Sequence, residues 1–253
     1  MRRTALLVVV GLLSAGLGVL GSSSHVLRRP ELATVDARFD VRGKQKPHPD
    51  VVIVGLDATS LQTLNVRPPI PRRLHAALID ELRTKGARTI AYDFEFAGRT
   101  TVRDDNALFR ALQRAGGVIL STTRVNPGPV TPFDPLAEET GAVIASTNFP
   151  ERATRGGTFR RLPRDELGLP LFAIAAAARE VPAGRFAGDG AWIDFAGPAG
   201  TYDYLSFSDV LAGVGEVQDK IVLVGPTDPI IQDVHPTATS ASMPGVEIHA
   251  NAV

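Results

Sequence analysis

The chain has 253 residues, a formal net charge of zero and no cysteine. Balanced charge excludes the basic excess of a nucleic-acid binder, and the missing cysteine excludes disulfides, thiol nucleophiles and cysteine-ligated zinc. With 44% hydrophobic and 21% charged residues, this is the composition of a globular protein long enough to bury one sizeable core.

The first segment predicts a membrane span. Thr4 to Gly21 carries no charge and is mostly Leu, Val, Ala and Gly. Its eighteen residues, at about 1.5 Å each, rise roughly 27 Å, close to a hydrocarbon thickness of about 30 Å. Arg2 and Arg3 precede the run, which places the N-terminus in the cytoplasm by the positive-inside rule. A cleaved signal peptide, with Val19 and Gly21 at the cleavage site, is the alternative. The run exceeds the usual apolar core of about 7–15 residues in such a peptide, which favours an uncleaved anchor. Gly16, Gly18 and Gly21 spell GxGxxG, but a dinucleotide site needs a strand before the motif and an amphipathic helix after it. Ser22-Ser23-Ser24-His25 follows instead. Gly11 with Ala15, and Ser14 with Gly18, read better as small-residue spacings that let two membrane helices approach closely.

Strand and helix signals then alternate. Val51–Val54 is a β-branched run of the kind buried on both faces. Residues 71–85 predict a helix, with Pro71 at its first position, an apolar stripe of Leu74, Ala77, Leu78 and Leu82, and Gly86 closing it. Residues 88–96 alternate, putting Ile90, Tyr92, Phe94 and Phe96 on one face. Asp104 and Asp105 are expected to cap a second helix with Leu108, Ala111, Leu112 and Ala115 inward, stopped by Gly116-Gly117. Val118–Leu120 is a third strand, and this βαβαβ order argues for a parallel sheet with right-handed crossovers. Residues 126–134, with three prolines, predict a loop. Residues 142–145 and 157–162 read as strands of an added hairpin, and Leu169–Arg179 as an alanine-rich helix. Trp192–Phe195 is read as a short strand, Phe207–Leu211 as a short helix and Ile221–Val224 as another buried strand. After the Pro244-Gly245 turn signal, Val246, Ala250 and Val253 share one helical face. The expected fold class is α/β, a mostly parallel sheet flanked by helices and preceded by an N-terminal transmembrane helix.

Several segments, in order, resemble a known family. They are Asp36–Gly43, Val52–Asp57 before Ala58-Thr59-Ser60, Pro71–His75, and Ile90-Ala-Tyr-Asp93. Asp104-Asp105, Ile221–Gly225, Asp233–Thr237 and Met243–Asn251 follow. This ordered set is similar to the CHASE2 extracellular sensory domain, over about residues 31–253. Gly157–Arg161 departs from the family pattern, where an Asp-Gly pair before basic residues is commoner. The resemblance implies residues 1–24 as cytoplasmic stub and anchor, and residues 25–253 as the extracytoplasmic input domain of a membrane receptor. It also implies further membrane spans and a cytoplasmic effector beyond Val253: a nucleotide cyclase, a protein kinase or a diguanylate cyclase. The last helix is expected to lead into the next span. A homodimer in the membrane, no enzyme activity in this chain, no cofactor and no nucleic-acid partner complete that expectation.

Six polar residues are the candidate ligand site: Asp57, Asp93, Glu95, Asp228, Asp233 and His235. Asp57 and Asp228 each follow a buried strand, and Asp93 and Glu95 share a strand face. Ligands of open α/β sheets bind beyond the strand C-termini, where converging carboxylates can hold a cation or a small polar ligand. The competing account is that these side chains cap helices and satisfy loop amides. Asp233-x-His235 could contribute two metal ligands, but no third is identified in the sequence. No GxSxG elbow, Walker loop, EF-hand loop or HExxH occurs. A membrane-tethered metal-assisted hydrolase and a pure dimerisation scaffold are the alternative functions. Arg72 and Arg73 read as solvated surface cations, and His75 as a packed or surface histidine.

Overall fold

The computed structural model describes residue 11 and residues 28–123, 138–149, 157–163, 165–166, 168–178, 190–231 and 233–253. The predicted span at Thr4–Gly21 (apart from Gly11), its flanking arginines and the predicted loop 126–134 lie outside these residues. Among those described, no helix is long and apolar enough to cross a membrane.

Two compact units result, Met1–Gly43 and Lys44–Val253. The first contributes helix α1, Arg28–Arg42, with Glu31 in its first turn and Arg42 in its last, the arrangement that complements the helix dipole. The Arg42 guanidinium sits 4.9 Å over the Phe39 ring.

The second unit is built on a six-stranded sheet. Its strands are β1 (Val51–Leu56), β2 (Thr89–Tyr92), β3 (Ile119–Thr122), β4 (Val143–Ser146), β9 (Tyr204–Ser206) and β10 (Ile221–Pro226). They lie in the order β4-β3-β2-β10-β1-β9, every neighbour parallel. Strand β10 thus enters between β1 and β2, in register Val51↔Ile221 through Leu56↔Pro226. Central parallel strands are covered on both faces, hence their unbroken apolar runs.

Alternation along the strands splits the core in two. One face carries Val54, Leu56, Ile90, Tyr92, Leu120, Val222 and Val224. It packs on α2 (Ala58–Thr63), α3 (Arg72–Thr84), α4 (Val102–Ala115) and α6 (Phe207–Leu211) through Leu61, Leu78, Leu82, Leu108, Leu112 and Phe207. Each fully buried side chain among these, Leu78, Leu82, Leu108, Leu112 and Phe207, contributes roughly 1.5–3 kcal/mol. The opposite face, with Ile53, Ala91, Ile119 and Leu223, packs on α5 (Phe172–Ala177) and α7 (Gly245–Ala252) through Phe172, Ala176, Val246 and Ala250. The strand expected over residues 88–96 ends at Tyr92: Ile90 and Tyr92 share its buried face, while Phe94 and Phe96 lie beyond it, Phe96 buried in the first cluster and Phe94 packed against it.

Four other local expectations need correction. Helix α4 begins earlier than predicted: Thr101 is its N-cap, accepting a bond from the Asp104 amide, and Asp104 and Asp105 lie inside its first turn. Residues 142–145 form no hairpin with 157–162; β4 joins the main sheet beside β3, while β5 (Arg161–Leu162) pairs antiparallel with β8 (Ala191–Trp192). The strand read at Trp192–Phe195 is that short pairing, and beyond it Ile193 and Phe195 are buried outside any strand. The helix expected at Leu169–Arg179 starts later. A two-stranded ladder of β6 (Asp165–Glu166) and β7 (Leu169–Pro170) precedes α5, because Pro170 cannot donate within a helix. The remaining ladder pairs β11 (Val234–His235) antiparallel with β12 (Met243–Pro244).

Candidate functional site

All six candidate residues fall at or near the carboxyl ends of the central strands, but their contacts divide them. Asp57 N-caps α2, its Oδ1 accepting from the Ser60 amide at 2.7 Å and from the Ser206 hydroxyl at 3.0 Å. Ser60 and Ser206 hydroxyls lie 2.8 Å apart, and the Ser208 amide donates to Ser60 Oγ at 3.1 Å. This closed network ties the end of β1 to β9 and α6, so Asp57 is a cap as the competing account expected. Glu95 is exposed and accepts from the Thr123 hydroxyl at 2.8 Å, past the ends of β2 and β3. Asp228 folds into its own turn, with Oδ1 accepting from the Ile230 amide at 2.8 Å and Oδ2 buried without a partner among the described residues.

Asp233 and His235 do meet, and the charge of Asp233 reaches Asp93. Asp93 follows β2 and bonds through its amide to the Val224 carbonyl at 2.7 Å. Asp233 leads into β11, which pairs with β12 immediately before α7. Its carboxylate lies against Gly245, where a Cβ would be 2.5 Å from Oδ2, so a negative charge rests on the N-terminal turn of α7, where the helix dipole favours it. His235 Nε2 lies 3.0 Å from Asp233 Oδ1. Although part of Asp93 reaches solvent, burial first and the Asp233 charge second raise its pKa well above the ordinary carboxylate range.

Sequence reasoning missed two members of this region, both on α7. His249 is 1% exposed, its ring packed among Phe149 and Phe172 at 5.1 and 5.0 Å. Burial lowers its pKa to about 4, against a smaller raising effect from Asp233. Glu247 is fully buried; its carboxylate accepts from the Gly200 and Thr201 amides at 3.0 and 3.1 Å and from the Tyr204 hydroxyl. Burial, and then Glu247, raise the Tyr204 pKa. Asn251 extends this latch, accepting from the Ala196 amide at 2.8 Å. Both missed residues lie inside the Met243–Asn251 segment that carries the family resemblance, and that was the available signal.

One further reading changes. Arg72 is no surface cation: 6% exposed, it donates to Asp105 at 2.8 Å and to the Ala97 and Gly98 carbonyls at 3.0 and 2.9 Å. It thereby clamps the loop after β2 to the start of α4. Arg73 pairs with Asp104 at 3.2 Å. His75 is a packed histidine, 4% exposed. Among the described residues, no three His, Asp or Glu side chains are grouped so as to hold a metal ion.

The candidate residues gather at one end of the sheet, and in open α/β sheets ligands bind in the crevice beyond the strand carboxyl ends. The CHASE2 domain profile matches residues 4–253, and the chain belongs to the CHASE2 family. CHASE2 is a family of extracellular sensory domains, and a sensory role follows for this chain. No curated protein and no solved structure matches it.

Proposed function

We propose that this chain is the extracytoplasmic signal-input domain of a membrane receptor. Residues 1–24 hold the membrane anchor, residues 25–253 form the sensor, and a cytoplasmic cyclase, kinase or diguanylate cyclase is regulated downstream. The observation that carries this reading is the family match across nearly the whole chain. The Thr4–Gly21 run supports the topology by its length and lack of charge. Of the six candidate residues, Asp93, Asp233 and His235 are the site that a small polar ligand would address. Asp233 lies against Gly245 of α7, the last helix, and a stimulus acting there reaches that helix. Such a receptor works as a homodimer, with the small-residue spacings of the anchor at the helix contact.

Reporter fusions test the topology on which the proposal depends. Alkaline phosphatase fused near residue 120 is expected to be active in cells, and a cytoplasmic reporter fused at the same point inactive. The reverse pattern would place the domain inside the cell and end the proposal.

A further inference from the structure

The last helix and the stretch by which the chain enters the sheet are fastened to one and the same segment. On the helix side, the buried Glu247 carboxylate accepts from the successive amides of Gly200, Thr201 and Tyr202 at 3.0 to 3.3 Å, and from the Tyr204 hydroxyl. Successive amides turned toward one anion form a concave nest that holds negative charge. One turn further along α7, the Tyr202 hydroxyl donates to the Ala250 carbonyl at 3.0 Å, and Asn251 Oδ1 accepts from the Ala196 amide at 2.8 Å. On the entry side, the Ala196 carbonyl accepts from the Gln45 amide at 2.6 Å. Lys44 lies against the next residue, since a Cβ on Gly197 would meet the Lys44 Cα at 3.5 Å. Ala196 therefore serves two partners far apart in sequence, its amide bound to the last helix and its carbonyl to the entry segment. Burial reinforces the hydrogen bonds, because Ala196 and Tyr202 pack with Val246 and Ala250 in the second core.

We propose that residues 196–204 are a strap coupling α7 to the entry segment Lys44-Gln45, so that a displacement of α7 is delivered to the point where the chain enters the sheet unit. The two movements are joined at Ala196. Drawing Asn251 away strands the Ala196 amide on a residue only 8% exposed, and a buried donor without a partner is costly. Turning that residue to recover a partner swings its carbonyl off the Gln45 amide. The use made of the strap rests on the receptor reading above. The Asp233 carbonyl accepts from the Gly245 amide at 3.1 Å, so a ligand that shifts Asp233 shifts the start of α7, and the strap passes that shift to the N-terminal side of the unit. A ligand transmits no more than the difference between its affinities for the two placements of the helix.

Amide hydrogen exchange on the full 253-residue chain in detergent micelles tests the strap. The probe is the Gln45 amide, whose hydrogen bond is to Ala196 and not to the substituted residue. The Leu223 amide, in the central strand β10, reports general loss of stability. Asn251→Ala removes the acceptor of the Ala196 amide and is expected to speed exchange at Gln45 about tenfold more than at Leu223. If that variant does not fold, Tyr202→Phe, which removes the bond to the Ala250 carbonyl, carries the same expectation. A Gln45 amide that only keeps pace with Leu223 in the folded variant overturns the proposal. Selective loss at Gln45, found together with reporter fusions that place the domain inside the cell, leaves the strap standing and ends the receptor reading. A Gln45 amide that keeps pace, found with an active phosphatase fusion, does the reverse.

Discussion

Replacing His75 with phenylalanine isolates one buried charge from the rest of the molecule. His75 lies on α3 with its ring edge-on to Phe94, Phe96, Tyr92 and Phe207 at 5.0 to 5.8 Å, and its Nδ1 has no partner among the described residues. Burial, and then the charge of Arg72, lower its pKa from 6.5 to about 3. The folded state therefore binds fewer protons than the unfolded chain between those values, so this stability is complete above pH 6.5 and is lost as pH falls toward 3. The full shift corresponds to about 5 kcal/mol, of which roughly 1.4 kcal/mol is lost between about pH 7.5 and pH 5.5. His249, lowered to about 4, follows the same sign over that window, whereas Asp93 opposes it. Comparing variant with wild type cancels both. Urea unfolding followed by circular dichroism at the two pH values should show His75→Phe gaining about 1.4 kcal/mol on the wild type as pH falls, whatever its starting stability. A difference that stays constant with pH would falsify the claim that His75 is held neutral in the core.

Two other substitutions test the latch and the cap. Glu247→Gln keeps the shape but cannot accept from the Gly200 and Thr201 amides on both oxygens; stranding buried donors should cost about 2–3 kcal/mol in the same urea assay, and a change under about 0.5 kcal/mol would show that the contacts contribute nothing. Asp57→Ala should lower stability by about 1 kcal/mol through loss of the α2 cap, and Asp57→Asn by much less. If Asp57→Asn proves as damaging as Asp57→Ala, the charge and not the cap is what matters there.

The parallel sheet was legible where burial leaves a local trace. Val51–Val54 and Ile221–Val224 are apolar on both faces because helices cover both, and the stripes of α3 and α4 show at helical spacing. Strand order was not legible. Nothing near Ile221 states that β10 inserts between β1 and β2, since that neighbour relation is fixed by the crossovers and not by local pattern. Strand β9, Tyr-Leu-Ser, is too short and mixed to register as a strand by periodicity. The candidate site was half legible, and for a related reason. Strand-end acids can be found from sequence, but only folding separates Asp57, consumed by a serine network, from Asp93, which feels the charge of Asp233 from 140 residues along the chain. Arg72 was misread because its three partners come from a distant loop and helix, and only those partners make burial of a guanidinium tolerable.

The glycines beneath α7 also decide what kind of motion that helix can make. Val246 occupies the notch over Gly225, and Asp233 covers Gly245. Further along, the Tyr202 hydroxyl donates to the Ala250 carbonyl at 3.0 Å, and Asn251 is fastened to the Ala196 amide. Sliding along the strands would drive Val246 out of its notch and into neighbouring backbone, which a packed interior resists. Lifting the first turn would strip Glu247 from the Gly200 and Thr201 amides as well as unplug Val246. The helix is therefore fastened near both ends to one segment, residues 196–204, so any displacement of it carries that segment along.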